Sequence, residues 1–486
     1  MKTQEVFERA KVSYIYGTSA AGRYHAGLGM PLYVERADGP YLYDLDGREW
    51  IDFNTSAGAA FFGYNNPRLR RAIERSMAMG FFMNVESEYH YQLADQICRV
   101  VPCAEKVRLS NTGTEVTMGA VRLARAYTRR DKLLRFEGHF HGMSELVFYN
   151  HGVLGEMDAH GEVTPQPDSA GFPAAFALPQ VVVEFNRIEA VEHAVKKHRG
   201  QIAAVIMEAV CYNCGCMPAY PEYLKQLREI CTREGIVLIF DEVLSGFRPG
   251  IGGAQEYYGV TPDLATIAKA LGGGFPIAAL VGKKEIMAAL NPGGPTVMSG
   301  TYTGALMPVL AALECISMME EPGFYERLNR LSQRLYDGMN GLFRRYKVPG
   351  HVHGLGNRFA TYFGWDDEKD DYDFRMIVRN FDGDLYNRFV SKVLEKDLYF
   401  HLSGWAGKGV SLPTHCGISS MHTEKEIDVA LDRMESVFKE LGRERAGEPR
   451  RRVGGDEVVC HFVIHRYLRL VCERVQVRPP GRHQEL

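Results

Sequence analysis

The chain has 486 residues, 45% of them hydrophobic and 24% charged, with a formal net charge of −3 and a pI near 6.6. That balance suits a globular protein with one large domain and a smaller one, and it carries no electrostatic footprint for a nucleic-acid or membrane-surface partner. No apolar run reaches the ~20 residues of a membrane span, and the opening MKTQEVFERAKVSYIYG lacks the apolar stretch of a secretory signal, so a cytoplasmic protein acting on small molecules is expected.

In chain order, YLYDLDGREWIDF (41–53) alternates apolar and polar residues around Asp46-Gly47 and predicts a hairpin outside the main sheet. From about 105 to 305, short β-branched runs alternate with helical patterns: KVRLS (106–110), KLLRFE (132–137), IAAVIMEAV (202–210), IVLIFDEV (236–243) and IAALVG (277–282). These runs are nearly continuous in apolar residues, as strands buried on both faces must be, which predicts an α/β domain on a mostly parallel sheet. Residues 304–346 read as mostly helical, and TEKEIDVALDRMESVFKEL (423–441) places Ile427, Leu431, Met434, Phe438 and Leu441 on one helix face.

The expected organisation is a small α+β domain built from both chain ends, 1–65 and 326–441, around a large α/β domain over 66–325. Residues 442–486 hold ten arginines and no lysine, and read as a basic tail outside the catalytic fold. Ten cysteines without a regular framework fit reduced thiols. Cys211, Cys214 and Cys216 in VCYNCGC lack the second CxxC or histidine pair of a zinc site, so no metal is expected.

The chemistry concentrates around ATIAKALGGGFP (265–276), where Lys269 stands between a small apolar run and three glycines. A lone lysine there would snorkel to water. Asp241 and Glu242, however, stand 28 and 27 residues upstream at the end of IVLIFDEV. Carboxylates at that end of a parallel strand face the crevice where α/β sheets bind ligands. In RLSNTGTEVTMG a strand leads through a hydroxyl-rich turn into a helix. Thr112 and Thr114 with the first free N–H groups form either a phosphate site or a plain N-cap with Glu115. In FEGHFHGMSE, Phe140 is flanked by His139 and His141 and either stacks on a flat heterocycle or packs as a loop aromatic. A lysine, an acid, a phosphate cradle and a stacking ring together describe a pyridoxal phosphate site.

LIFDEVLSGFR, GGAQEYYGVTPDLATIAKALGGGFPIAALVG, NTGTE, FHG and SGTYTG resemble the class III, fold type I pyridoxal phosphate-dependent aminotransferases, over about residues 12–441. Within that class the similarity is to the glutamate-1-semialdehyde 2,1-aminomutase-like subgroup. The resemblance implies that Lys269 carries the cofactor as an imine, that Asp241 pairs with the pyridine nitrogen, and that Thr112, Gly113 and Thr114 hold the phosphate. Phe140 falls where the family usually has a ring-stacking tyrosine, and Val243 would pack on the other ring face. Thr301 matches a threonine that reaches the phosphate of the neighbouring subunit, implying a homodimer with shared sites.

For the substrate, the resemblance offers Arg23 in GTSAAGR as a carboxylate clamp and Glu208 in IMEAV on the substrate side, although Ala209 replaces the usual proline. In PTHCGISSMHT, His415 stands where the aminomutase usually has glutamate. Phe61, Phe62, Phe81 and Phe82 either line an entrance for a bulky substrate or belong to the core or an interface. These departures favour transamination from an amine or amino acid to a 2-oxo acid. The alternative is an intramolecular aminomutase, and a third reading is a non-catalytic homologue, against which the intact Lys269 and Asp241 speak.

Overall fold

A computed structural model describes residues 2–365, 373–402 and 410–447. One compact unit spans Met1–Arg443. The second, Glu444–Leu486, is described only to residue 447, so the arginine-rich tail lies outside the described residues beyond that point.

Eight strands form the central sheet: β1 (Lys106–Ser110), β2 (Lys132–Phe136), β3 (Glu162–Val163), β4 (Gln180–Val183), β5 (Ile202–Met207), β6 (Val237–Glu242), β7 (Leu264–Ile267) and β8 (Ala278–Gly282). Their order is β1-β8-β7-β6-β5-β2-β4-β3. The run from β7 through β6, β5 and β2 to β4 is parallel; β8 runs antiparallel to both its neighbours, and β3 antiparallel to β4. Every residue of β5, β6 and β7 is buried, which explains their nearly unbroken apolar sequence.

Two details differ from the sequence reading. β3, β4 and β7 are sheet strands that the reading omits, although the buried QVVV of β4 is as β-branched as its neighbours. IAAVIMEAV is not one strand: β5 stops at Met207, and Val210–Cys211 turns away to pair antiparallel with Met217–Pro218. The break comes at Glu208, a buried acid that the ladder has no place for.

The predicted hairpin is present, with Leu42 opposite Trp50. It belongs to a four-stranded sheet that also takes Leu398–Tyr399, parallel to Glu49–Asp52, so the two ends of the chain share one sheet. A three-stranded antiparallel sheet joins Gly350–Leu355, Arg358–Phe363 and His415–Gly417. Its register sets Ala360 opposite His415 and Arg358 opposite Gly417, which makes Arg358 and His415 diagonal neighbours on one face. Helices Leu306–Met319 and Phe324–Tyr346 fill the expected helical stretch. The final helix runs Glu424–Gly447, past the expected end at Leu441, with Ile427, Met434, Phe438 and Leu441 in the core.

Phe61 and Phe62 are core residues, fully buried and packed edge-to-face at 5.0 Å, with Phe324 closing the cluster. Phe81 and Phe82 are half-buried.

Candidate active site

Parallel strands deliver their C-terminal ends to one edge of the sheet, and the candidate residues gather there. Asp241 lies opposite Thr266 in the β6–β7 register and is buried. Its Oδ2 accepts from His141 Nδ1 at 2.7 Å, while its Oδ1 accepts from Val243 N at 3.0 Å and Thr266 Oγ1 at 3.2 Å. Burial holds His141 below its usual range against the pull of Asp241, and its Nε2 has no partner. The sequence reading noticed His141 but not this pairing, because only the folded chain brings residues 141 and 241 together.

β1 leads into the helix Gly113–Thr128. Thr112 is its N-cap, accepting from Glu115 N at 3.2 Å, and the Glu115 carboxylate reaches back to the N–H groups of Asn111 at 2.9 Å and Thr112 at 3.2 Å. This capping box satisfies the donors at the turn itself. The N–H groups of Gly113 and Thr114 bond to nothing among the described residues, leaving two donors at the positive end of the helix. Gly113 is tightly packed: a Cβ there would stand 2.8 Å from Val243 Cγ1. Gly142 in the FHG turn has φ +95°, and a Cβ there would meet Thr114 Oγ1 at 2.7 Å, so the aromatic turn lies directly against the helix start.

Lys269 follows β7 in a left-handed conformation, φ +42°, that a non-glycine residue adopts at a cost of about 1–3 kcal/mol. Gly272 and Gly273 N–H both donate to its carbonyl at 3.1 Å, and Cys315 and Leu69 leave no room for a Cβ on Gly273. Its side chain is half-buried, and Nζ makes no hydrogen bond or ion pair among the described residues. Desolvation, then the Arg248 and Arg358 cations, push its ammonium down to about 8, against the opposing pull of Glu208 and Asp241.

Those two arginines are functional candidates that the sequence reading missed. Both are fully buried and converge on Gly58, whose added Cβ would meet Arg248 Nη2 at 3.3 Å and Arg358 Cζ at 3.6 Å. Neither makes an ion pair with a described carboxylate. SGFR carried Arg248 in plain sight, but nothing local in GNRFATYF marks Arg358 as buried.

Phe140 N–H donates to Glu208 Oε1 at 2.9 Å, and Asn213 Nδ2 donates to Oε2 at 2.9 Å. Burial and the neighbouring Asp241 push the Glu208 carboxyl up to about 8. Glu208 and Cys211 also meet His139, but Glu208 Oε1 and His139 Nδ1 already accept from Phe140 N and Glu208 N. His415 is half-buried beside Arg358, and Lys269 is among the cations that hold its ring neutral. No contact brings the other two candidates to Lys269 within this chain: Arg23 is exposed and donates to Ser19 Oγ at 2.6 Å, and Thr301 is exposed.

The raised Glu208 carboxyl has a measurable consequence. Between its unfolded pKa of about 4.5 and its folded value of about 8, the folded protein holds a proton that the unfolded chain has released. Its contribution to stability is present below that window and is lost as pH rises through it. Glu208→Gln removes this loss, so its thermal midpoint is expected to gain on the parent's by about 2 °C or more between pH 5 and pH 8.5, read by differential scanning calorimetry.

The sequence pattern of the aminotransferase class-III family matches residues 24–429, and the chain belongs to that family. It is similar to an omega-transaminase from Sphaerobacter thermophilus at 30% identity, with 90% of this chain and 97% of that one covered and a TM-score of 0.83. A beta-phenylalanine aminotransferase from Variovorax paradoxus matches at 26% identity over 92% and 95%, with a TM-score of 0.75. A glutamate-1-semialdehyde-aminomutase from Pseudomonas aeruginosa PAO1 shares the fold at 20% identity over 90% and 94%, with a TM-score of 0.79. The protein is a pyridoxal phosphate-dependent aminotransferase of fold type I. No helix among the described residues is long and apolar enough to cross a membrane.

The residues present fit that cofactor. Lys269 offers an unpartnered amine of lowered basicity for an aldehyde carbon. Asp241 is a buried carboxylate held in place by three hydrogen bonds. Gly113 and Thr114 offer uncommitted N–H groups to a phosphate.

Proposed function

We propose that this enzyme moves an amino group from an amine or amino acid to a 2-oxo acid in two half-reactions, through Lys269 as the reacting amine. The observation that carries this reading is the Lys269 side chain: unpartnered, lowered to about 8, and set at the same strand ends as the buried Asp241. Bound pyridoxal phosphate supplies a ring that accepts the electron pair left when a bond at the substrate Cα breaks.

The chain's own residues would do the rest. Asp241, oriented by His141 and Thr266, would hold a proton on the ring nitrogen. Gly113 and Thr114 N–H with the Thr112 hydroxyl would hold the phosphate, while Phe140 and Val243 would bracket the ring. Lys269 Nζ, partly unprotonated at neutral pH, would take the proton from the substrate Cα. Glu208 and His415 would face the substrate, and Arg23 would bind its carboxylate.

Thr301, exposed in this chain, would reach the phosphate in a second copy, so we read the enzyme as a homodimer with shared sites. The sheet shared by Glu49–Asp52 and Leu398–Tyr399 supports a small domain built from 1–65 and 326–441 beside a large domain over 66–325. The free thiols of the eight described cysteines support a cytoplasmic enzyme.

The test uses enzyme loaded with pyridoxamine phosphate. Given glutamate-1-semialdehyde alone, it is expected to make no sustained 5-aminolevulinate; given an amino donor together with pyruvate or 2-oxoglutarate, it is expected to turn over. Sustained isomerisation without an acceptor would replace this reading with the aminomutase.

A further inference from the structure

We infer that His415, locked by Arg358, is a fixed hydrogen-bond donor that receives a carboxylate of the substrate. This deepens the proposed function and rests on Lys269 being the reacting amine.

Arg358 lies wholly inside the protein. Its Nη1 donates to Thr55 Oγ1 at 2.6 Å and to Asn54 O at 3.2 Å, and its Nη2 donates to His415 O at 3.1 Å and to His415 Nδ1. A guanidinium has no lone pair to offer and keeps its protons, so His415 Nδ1 must accept and carries no hydrogen. The one hydrogen of the neutral imidazole is therefore on Nε2. Protonating the ring would point a second N–H at Arg358, and the site resists it: burial and the charges of Arg358 and Lys269 hold His415 well below the usual histidine range. Nε2–H donates to nothing among the described residues, and His415 is only half-buried, so this donor is open to a bound oxygen. A fixed N–H with no protein partner is already oriented for a substrate oxygen to accept from it.

Charge decides which oxygen. Arg248 spends its donors on Leu244 O at 2.9 Å, Asn357 Oδ1 at 3.1 Å and Gly58 O, all neutral acceptors, and Arg358 likewise bonds only neutral groups. Asp52, the carboxylate that acts on Arg358, spends its oxygens on the N–H groups of Asn54 and Thr55 and on Tyr64 OH. Glu208 is held largely protonated at neutral pH. Two buried guanidiniums that meet at Gly58 and lower the Lys269 ammonium thus have no paired anion, and a ligand carboxylate supplies it while an ammonium is repelled. His415 determines specificity, and Arg358 is a positioning residue that fixes its tautomer.

The test measures glutarate binding to the holoenzyme by calorimetry, and glutarate as a competitive inhibitor. His415→Gln keeps an N–H donor and is expected to bind within about 3-fold of the parent, whereas His415→Glu offers only acceptors and charge and is expected to weaken binding about 30-fold or more. Arg358→Met is expected to raise KM for a dicarboxylate acceptor about 10-fold while kcat stays within about 3-fold, a split that general unfolding would not give. Undetectable glutarate binding by the parent, or equal binding by His415→Gln and His415→Glu, overturns the inference. Borohydride reduction followed by peptide mapping is read separately: a cofactor fixed to another lysine overturns the Lys269 reading, whatever the glutarate series shows.

Discussion

Lys269→Ala is expected to abolish transamination, with kcat/KM falling by at least about 10³-fold, while the protein stays folded. The covalent link to the cofactor goes with the amine, so borohydride should no longer fix cofactor to the chain. Stability moves the other way. The side chain is half-buried without a partner, near Arg248 and Arg358, and its ammonium is lowered to about 8. A lowered base is a destabilised cation: below about 8 the folded state carries a charge it disfavours, so the penalty is greatest there and disappears as pH rises toward the unfolded value near 10.5. Removing the amine relieves the penalty, and the cofactor-free variant should melt no lower than the parent at pH 7. The measurement is a pair of assays on one preparation, turnover and thermal midpoint. Turnover within about tenfold of the parent would sink the role of Lys269, because no other described lysine is placed at these strand ends.

Most of the fold was legible because its strands are buried on both faces and so must be apolar throughout. β4 and β7 are four-residue pieces and β3 a two-residue one, too short to stand out, and the reading extends β5 because EAV continues the apolar pattern after the ladder has ended. Within the site, Lys269, Asp241 and the NTGTE helix start each sit at a sequence boundary between strand and glycine or hydroxyl turn, where local signals are strong. The His141–Asp241 bond, the Arg248–Arg358 convergence and the Arg358–His415 lock join residues 100, 110 and 57 positions apart, which no local pattern reports. Arg23 and Thr301 show the opposite limit. Both were drawn from resemblance, and within one chain both are exposed, so their proposed roles depend on groups a single copy does not bring to them.

Asp241→Asn should lose on both counts, which separates it from Lys269→Ala. Asn keeps Oδ1 for the Val243 amide and the Thr266 hydroxyl, but it sets an amide N–H against His141 Nδ1–H where Oδ2 now accepts. His141 can avoid that clash only by moving its hydrogen to Nε2, a buried atom with no partner, so one donor is left unsatisfied in either tautomer. That costs about 1–3 kcal/mol of stability. Activity falls further, because an amide carries no charge to keep a proton on the ring nitrogen, and a loss of about 10²–10⁴ in kcat is expected with KM little changed. Chemical denaturation of the cofactor-free protein reads the first effect and steady-state kinetics the second. A variant that is destabilised as expected yet turns over within about threefold of the parent would make Asp241 a structural partner of His141 and nothing more.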